Sequence, residues 1–346
     1  MFIALPARLI TLLLLQALLL VLTGCTRAPA LQTIEGFAQG TTYHITWWSA
    51  EAVDNAILQQ AVTERFAEID SALSGYRPDS TIEQFNSRLD TDPHPVGKEI
   101  VALVEMARAI HRASRGCYDL TIKPAFDLWG FRKDEFTPPN ADALQQTMAR
   151  VGMDKLITLD QERLRKTLPD LQLDLASIGQ GYSVGQIAAV LEQSGVRDYL
   201  VEIGGELQTR GHKPGNKPWR VAVEKPIVGE RKVEKIITVD QTTPLAVMTS
   251  GTYRHYFDQD GVRYSHILDA RNGSPVQHNT LSVTVLNADP TAADAWTTAL
   301  LCLGVEAGKP VADQHGIAAL FITADGDALQ EHPSAPWQQM QGVQVE

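Results

Sequence analysis

Cysteine is scarce in this chain. Three occur among 346 residues, Cys25, Cys117 and Cys302. No C-x-x-C pair and no histidine-rich spacing is present, so there is no sequence framework for a thiolate or imidazole metal site. Basic charge is also short. Thirty Lys and Arg against 41 Asp and Glu give a net charge of −11. That balance argues against nucleic-acid binding and against a broad electrostatic hold on anionic lipid. No internal repeat and no low-complexity segment is found. The composition is otherwise that of a globular protein, long enough for one large domain or two intimate ones.

The chain has one marked apolar run. It extends from Leu9 to Leu22, broken by Thr11 and Gln16, follows the single early charge Arg8, and ends in Leu22-Thr23-Gly24-Cys25. This is the pattern of a secretory signal, and it is too short to favour a spanning helix. The Leu-x-Gly-Cys ending resembles the bacterial lipobox, which implies acylation of Cys25. The expected organisation is a signal peptide over 1–24, lipidated Cys25 and a tether over 25–33, and one domain over 34–346. The alternative is an uncleaved anchor helix with an incidental cysteine. Loss of Arg8 with the signal takes the charge to −12. In an oxidising compartment Cys117 and Cys302 could pair, but nothing in the sequence places them together, so no disulfide is assumed. Within Ala299-Leu300-Leu301-Cys302-Leu303, Cys302 reads as a small buried hydrophobe.

Periodicity predicts helices over Val53–Leu73 (with Ile57, Val62, Phe66, Ile69 and Leu73 inward), Lys98–Ser114, Asp142–Val151, Tyr182–Gln193 and Ala292–Leu303. Gly116, Gly152, Gly195 and Gly304 supply stops. Strands are predicted over Thr42–Trp48, Leu171–Leu175, Tyr199–Ile203, Trp219–Glu224, Lys235–Val239, Leu245–Met248, Arg263–Leu268, Leu281–Leu286 and Ala319–Thr323. The fold class is α+β, a mainly antiparallel β core with flanking helices.

Several constellations carry chemistry. In Asp174-Leu175-Ala176-Ser177-Ile178-Gly179-Gln180-Gly181, two glycines at the mouth of a helix would let backbone N–H groups approach an anion, or would simply make a turn. Asp294 and Thr298, four apart on a helix, offer a carboxylate and a hydroxyl to a hard cation such as Mg²⁺, or a first-turn aspartate that only stabilises its helix. His266 is a general base or a structural imidazole. Thr249-Ser250-Gly251 and Gly204-Gly205-Glu206 mark two loops, with Glu206 a ligand or a surface carboxylate. Tyr76, Tyr118, Trp129 and Phe131 stack on a planar ligand or plug a core.

The order of these motifs is more specific than any one of them. It runs Gly40-Thr41-Thr42-Tyr43, Ser71-x-x-Ser74-x-Tyr76, Gly116-x-x-Asp119-x-Thr121-x-x-Pro124, Trp129-Gly130-Phe131, Asp174 to Tyr182, Val201 to Glu206, Thr249-Ser250-Gly251, His266-Ile267-Leu268-Asp269 and Ala293-Asp294-Ala295. The series resembles the ApbE family of FAD:protein FMN transferases from about Ile34 to the C-terminal strand.

The resemblance implies Mg²⁺-dependent transfer of FMN from FAD to a threonine hydroxyl of an acceptor protein, with AMP as leaving group. It implies metal ligation by Asp294, Thr298 and the Ser177 carbonyl, with Thr297 where some relatives carry an extra acid. FAD contacts would fall on Gln39, Tyr76, Cys117, Tyr118, Asp119, Asp174, Gln180 and Ile267. Gln39 stands where methionine is usual, Gln180 where lysine or glutamate is common, Gly185 where aspartate is frequent and Ala270 where proline is usual. The catalytic base expected is His266. Acceptors would carry Asp-x-x-Ser/Thr-Gly/Ala-x-Thr, as in subunits of the Na⁺-translocating NADH:quinone reductase or Rnf complexes. The expected location is the periplasm-facing cell envelope, with the inner membrane favoured, although Thr26 carries no retention signal. Two other readings use the same residues: an FAD pyrophosphatase giving FMN and AMP, and a flavin-binding lipoprotein without catalysis.

Overall fold

A computed structural model describes residues 30–226, 233–326 and 328–346. The expected signal peptide and Cys25 lie outside the described residues. Among those described, no helix is long and apolar enough to cross a membrane.

The central element is an eight-stranded sheet built from β1 (Gln32–Ala38), β2 (Thr41–Trp48), β3 (Asp198–Ile203), β4 (Glu206–Arg210), β5 (Leu245–Gly251), β6 (Thr280–Asn287), β7 (Ala318–Asp325) and β8 (Ala328–Pro333). Spatial order follows chain order and every pairing is antiparallel. The expected α+β class, with an antiparallel core and flanking helices, is the class observed. Strand alternation shows in β5. Ala246 and Met248 enter the main core, whereas Leu245 and Val247 face a second cluster with Trp219, Val221, Ile237 and Val239. That cluster lies under a three-stranded sheet of Trp219–Glu224, Val233–Val239 and Val343–Val345.

Four long helices cover the other face: α1 (Asn55–Leu73), α2 (Gly97–Ala113), α3 (Ala176–Gln193) and α4 (Pro290–His315). In α1 the Asp54 side chain caps the amides of Ala56 and Ile57. Its buried stripe is Leu58, Val62, Phe66, Ile69 and Leu73. The expected stripe began one residue early, since Ile57 is 67% exposed. Helix α4 begins with Asp289 capping Thr291 and Ala292 and with Pro290 in its first turn. Gly304 breaks it at φ 69°, ψ 174°, which is where the sequence placed its end.

Three local expectations are corrected. Leu171–Leu175 is not a strand. Leu171, Leu173 and Leu175 are buried in alternation, as a strand would bury them. Its hydrogen bonds go elsewhere: the Asn86 side chain exchanges two with Leu173, and Asp174 N–H donates to Leu120. Helix α3 begins at Ala176, not Tyr182, so Gly179 and Gly181 lie within its first turns. The predicted strand Arg263–Leu268 is split. Val262–Ser265 pairs with Tyr256–Gln259, and Leu268–Asp269 pairs with Ser274–Pro275.

Candidate active site

Helices α3 and α4 meet where the expected metal ligands lie. Gly181 allows the approach: a Cβ there would run into the Pro290 carbonyl and lie 2.5 Å from the Asp294 Cβ. With the helices this close, the Gly181 N–H donates to Asp294 Oδ2 at 2.7 Å. An amide of the second turn of α3, near the positive end of that helix, therefore holds a carboxylate of α4. Ser177 lies one turn nearer the helix start. Its Oγ donates to the Tyr118 hydroxyl at 3.1 Å.

Strand β5 closes the group. Ser250 Oγ lies 2.7 Å from Thr297 Oγ1 and 3.3 Å from Thr298 Oγ1. Thr297 also donates to the Asp294 carbonyl at 2.6 Å and is fully buried, so its hydroxyl is engaged within the protein. Thr298 is half-buried.

Glu206 on β4 is buried as well, and Oε2 accepts from the Thr249 amide at 3.0 Å. Burial pushes the Asp294 carboxyl up to about 7. Burial, then the Asp294 charge, pushes Glu206 well above the usual carboxylate range. Neither has a salt-bridge partner among the described residues. Two buried carboxylates without a salt bridge among the described residues, together with a neighbouring threonine hydroxyl, form a hard-oxygen set suited to Mg²⁺. The fit rests on these residues alone.

The expected flavin contacts divide into groups. Tyr76 is 84% exposed, and Arg132 brings it to Asp174. The guanidinium lies 5.6 Å from the Tyr76 ring centroid, donates to the Gly75 carbonyl at 2.9 Å and is 3.5 Å from Asp174. Gln180 donates from Nε2 to the Ile203 carbonyl at 2.6 Å, beside the Gly204 turn. Gln39 is exposed at the β1–β2 turn with φ 52°.

The remaining contacts are internal. Ile267 is in the core. Asp119 is buried and both its oxygens are taken, Oδ1 by Thr121 and Oδ2 by the Met153 amide, so it holds its loop. Cys117 is joined to Cys302 by a disulfide with the Cα atoms 6.0 Å apart. This corrects the reading of Cys302 as a free buried hydrophobe. The bond ties the Tyr118 loop to α4, one turn beyond Thr298. Of the loop aromatics, Tyr118, Trp129 and Phe131 are buried in the core and only Tyr76 is open.

His266 stands in a separate neighbourhood. Trp129, Phe131, Phe136, Phe257 and Tyr264 form an aromatic cluster beside it. Its ring Nδ1 lies 2.9 Å from the His255 carbonyl. Burial, with smaller help from His255 and Arg254, pulls its pKa down to about 4, so it is neutral at pH 7. Arg254 is the electrostatic link between the two neighbourhoods, since its charge acts on both His266 and Glu206. Sequence reasoning missed Arg132 and Arg254. Each adjoins a motif it used, Arg132 after Phe131 and Arg254 after Thr249-Ser250-Gly251, but no spacing rule singles out either.

A model of the ApbE family matches residues 39–321. A Vibrio cholerae protein named FAD:protein FMN transferase is 35% identical over 322 residues, covering 92% of this chain and 95% of its own. The Escherichia coli protein of the same name is 34% identical over 309 residues, covering 88% and 87%. Among solved structures, the flavin transferase ApbE of V. cholerae superposes with TM-score 0.81 at 34% identity, covering 90% of this chain and 100% of that one. The apo flavinyl transferase ApbE of Pseudomonas stutzeri gives 0.82 at 34%, covering 91% and 98%.

Proposed function

The chain belongs to the ApbE family, and from that premise we propose that it moves the FMN half of FAD onto a threonine hydroxyl of an acceptor protein, with Mg²⁺ and with release of AMP. As an enzyme it is a flavin transferase of the kind for which its relatives are named. The observation that carries the finer reading is Asp294. This carboxylate is buried near Glu206, held by the Gly181 amide and in no salt bridge among the described residues.

Asp294, Thr298 and the Ser177 carbonyl would hold the metal, with Thr297 kept as their hydrogen-bonded support. Bound there, Mg²⁺ supplies charge neutralisation at a pyrophosphate. The protein's share is positioning. Tyr76, Asp174 and Gln180 line the approach to the α3 N-terminus, and that helix end favours phosphate oxygens. In the transfer, the threonine oxygen bonds to the FMN phosphorus and the bridging P–O bond to AMP breaks. The threonine proton passes to His266 Nε2. A histidine that is neutral at working pH has the lone pair for this.

The decisive test mixes the protein with FAD, Mg²⁺ and an acceptor carrying Asp-x-x-Ser/Thr-Gly/Ala-x-Thr. Covalent in-gel flavin fluorescence on the acceptor together with AMP is the expected result. AMP with no labelling would mean that water is the nucleophile. Neither product, with FAD retained, would mean a binder. For location we propose lipidation at Cys25 on the periplasm-facing side, which would confine the enzyme near membrane acceptors and raise its effective concentration there. Equal labelling in cells by a soluble exported Cys25→Ala form would remove that reading.

A further inference from the structure

A second histidine is held against His266. His255 comes just before the strand Tyr256–Gln259, and His266 just after its partner Val262–Ser265. They are thus the next pair in register after Tyr256 and Ser265. The rings are 5.5 Å apart and inclined by 29°. The His255 carbonyl accepts twice from His266, from the amide at 3.0 Å and from the ring at 2.9 Å. A carbonyl can only accept, so Nδ1 carries the ring proton and Nε2 keeps its lone pair.

The outer side of His255 is fixed in turn. Its Nε2 is 2.9 Å from an Asp134 carboxylate oxygen, and Phe131 meets the ring edge-on at 5.5 Å. Any residue at position 255 would supply the carbonyl. The ring and its pairing supply the rigidity that keeps carbonyl and imidazole aligned.

We propose that His255 is a positioning residue for His266: pinned by Asp134 and Phe131, it fixes the ring plane and tautomer that leave Nε2 ready to take a proton. The inference rests on the reading of His266 as base. The titratable and charged groups that face His266 are Arg254, His255 and, behind it, Asp134. Burial depresses the His266 pKa against the opposing pull of the His255 carbonyl, and a base that is already neutral needs no proton loss before it acts.

The test uses the whole chain in three forms, His255→Ala, His255→Phe and Asp134→Asn, with two measurements. Nitrogen-15 NMR reads the His266 tautomer, and steady-state kinetics separates kcat from KM for FAD. In His255→Ala the Nδ1–H form is expected to give way to mixed tautomers. Its kcat should fall about tenfold while KM stays within about twofold. His255→Phe keeps the stacked ring and should recover kcat to within about threefold, with Asp134→Asn between the two. A pure Nδ1–H tautomer with unchanged kcat in His255→Ala would overturn the inference. So would a loss that the Phe variant does not rescue. His266→Ala, measured alongside, separates the two readings. If it transfers FMN at the wild-type rate, His266 is not the base, while the tautomer result still decides the role of His255.

Discussion

The two halves of the site are built by opposite means. Around Asp294 the protein uses close backbone approach, two amides, three hydroxyls and two carboxylates, packed between α3, α4, β4 and β5. Around His266 it uses aromatic rings on a short hairpin whose outer partners, such as Asp134, are exposed. One half concentrates negative charge in a rigid interior and so is made to receive a cation. The other holds one neutral ring in place and so is made to receive a proton. Burial perturbs both, but in opposite senses: it holds a proton on Asp294 and keeps one off His266.

That contrast can be broken first at the carboxylate. Asp294→Ala should lower FMN transfer by about a thousandfold or more, read as AMP and in-gel fluorescence, because it removes the charged ligand outright. His266→Ala should cost about a hundredfold with FAD binding retained, the usual scale of a general base. Equal losses with equal weakening of FAD binding would mean that the halves do not divide the work as described.

The pH dependence of stability sharpens the comparison through its sign. Native Asp294 keeps its proton up to about 7, whereas the unfolded chain loses it near 3.8. Between those values the native state binds more protons, so this half loses stability as pH rises. Native His266 stays neutral down to about 4, whereas the unfolded chain takes a proton near 6.5. There the unfolded state binds more, so this half loses stability as pH falls. The two windows overlap and oppose each other in the wild type, so denaturant melts of metal-free variants from pH 4 to 7 are needed to separate them. His266→Gln should steepen the fall with pH, and Asp294→Asn should shift the profile toward a rise. Added Mg²⁺ should raise the melting temperature more at pH 7 than at pH 5 in the wild type, and not in Asp294→Asn.

Three further variants test the frame. Replacing both Cys117 and Cys302 by Ala should lower stability by about 2–4 kcal/mol in chemical melts, since the bond closes a very long loop. Gly181→Ala should cost about 1–3 kcal/mol and impair transfer, because the Pro290 carbonyl and Asp294 must move aside. Gly195→Ala tests a glycine at φ 85° with open space around it, where backbone strain is the only cost. It should leave transfer unchanged.

Much of this was legible in the residue pattern, and the exceptions share a cause. The Asp294 to Thr298 spacing, the Gly304 break and five of the eight strands of the central sheet follow from local periodicity. β1, β4 and β8 were not anticipated. Leu171–Leu175 has the alternation of a strand but takes its partners from the Asn86 side chain, which no periodicity reveals. Glu206 was left open between ligand and surface group, and only the packing of β4 against the Asp294 helix shows it buried.

The sequence alone determined local matters: which residues share a helix face, which glycine ends a helix, and which family order the motifs follow. Those are short-range matters, decided by residue type and spacing. The tertiary structure alone decided that Asp294 lies near Glu206, that Ser250 seals Thr297, and that Cys117 reaches Cys302 across a sequence separation of 185. Each is a contact between distant segments. Its energy depends on burial and on what water is excluded, and neither exists until the sheet has brought the segments together.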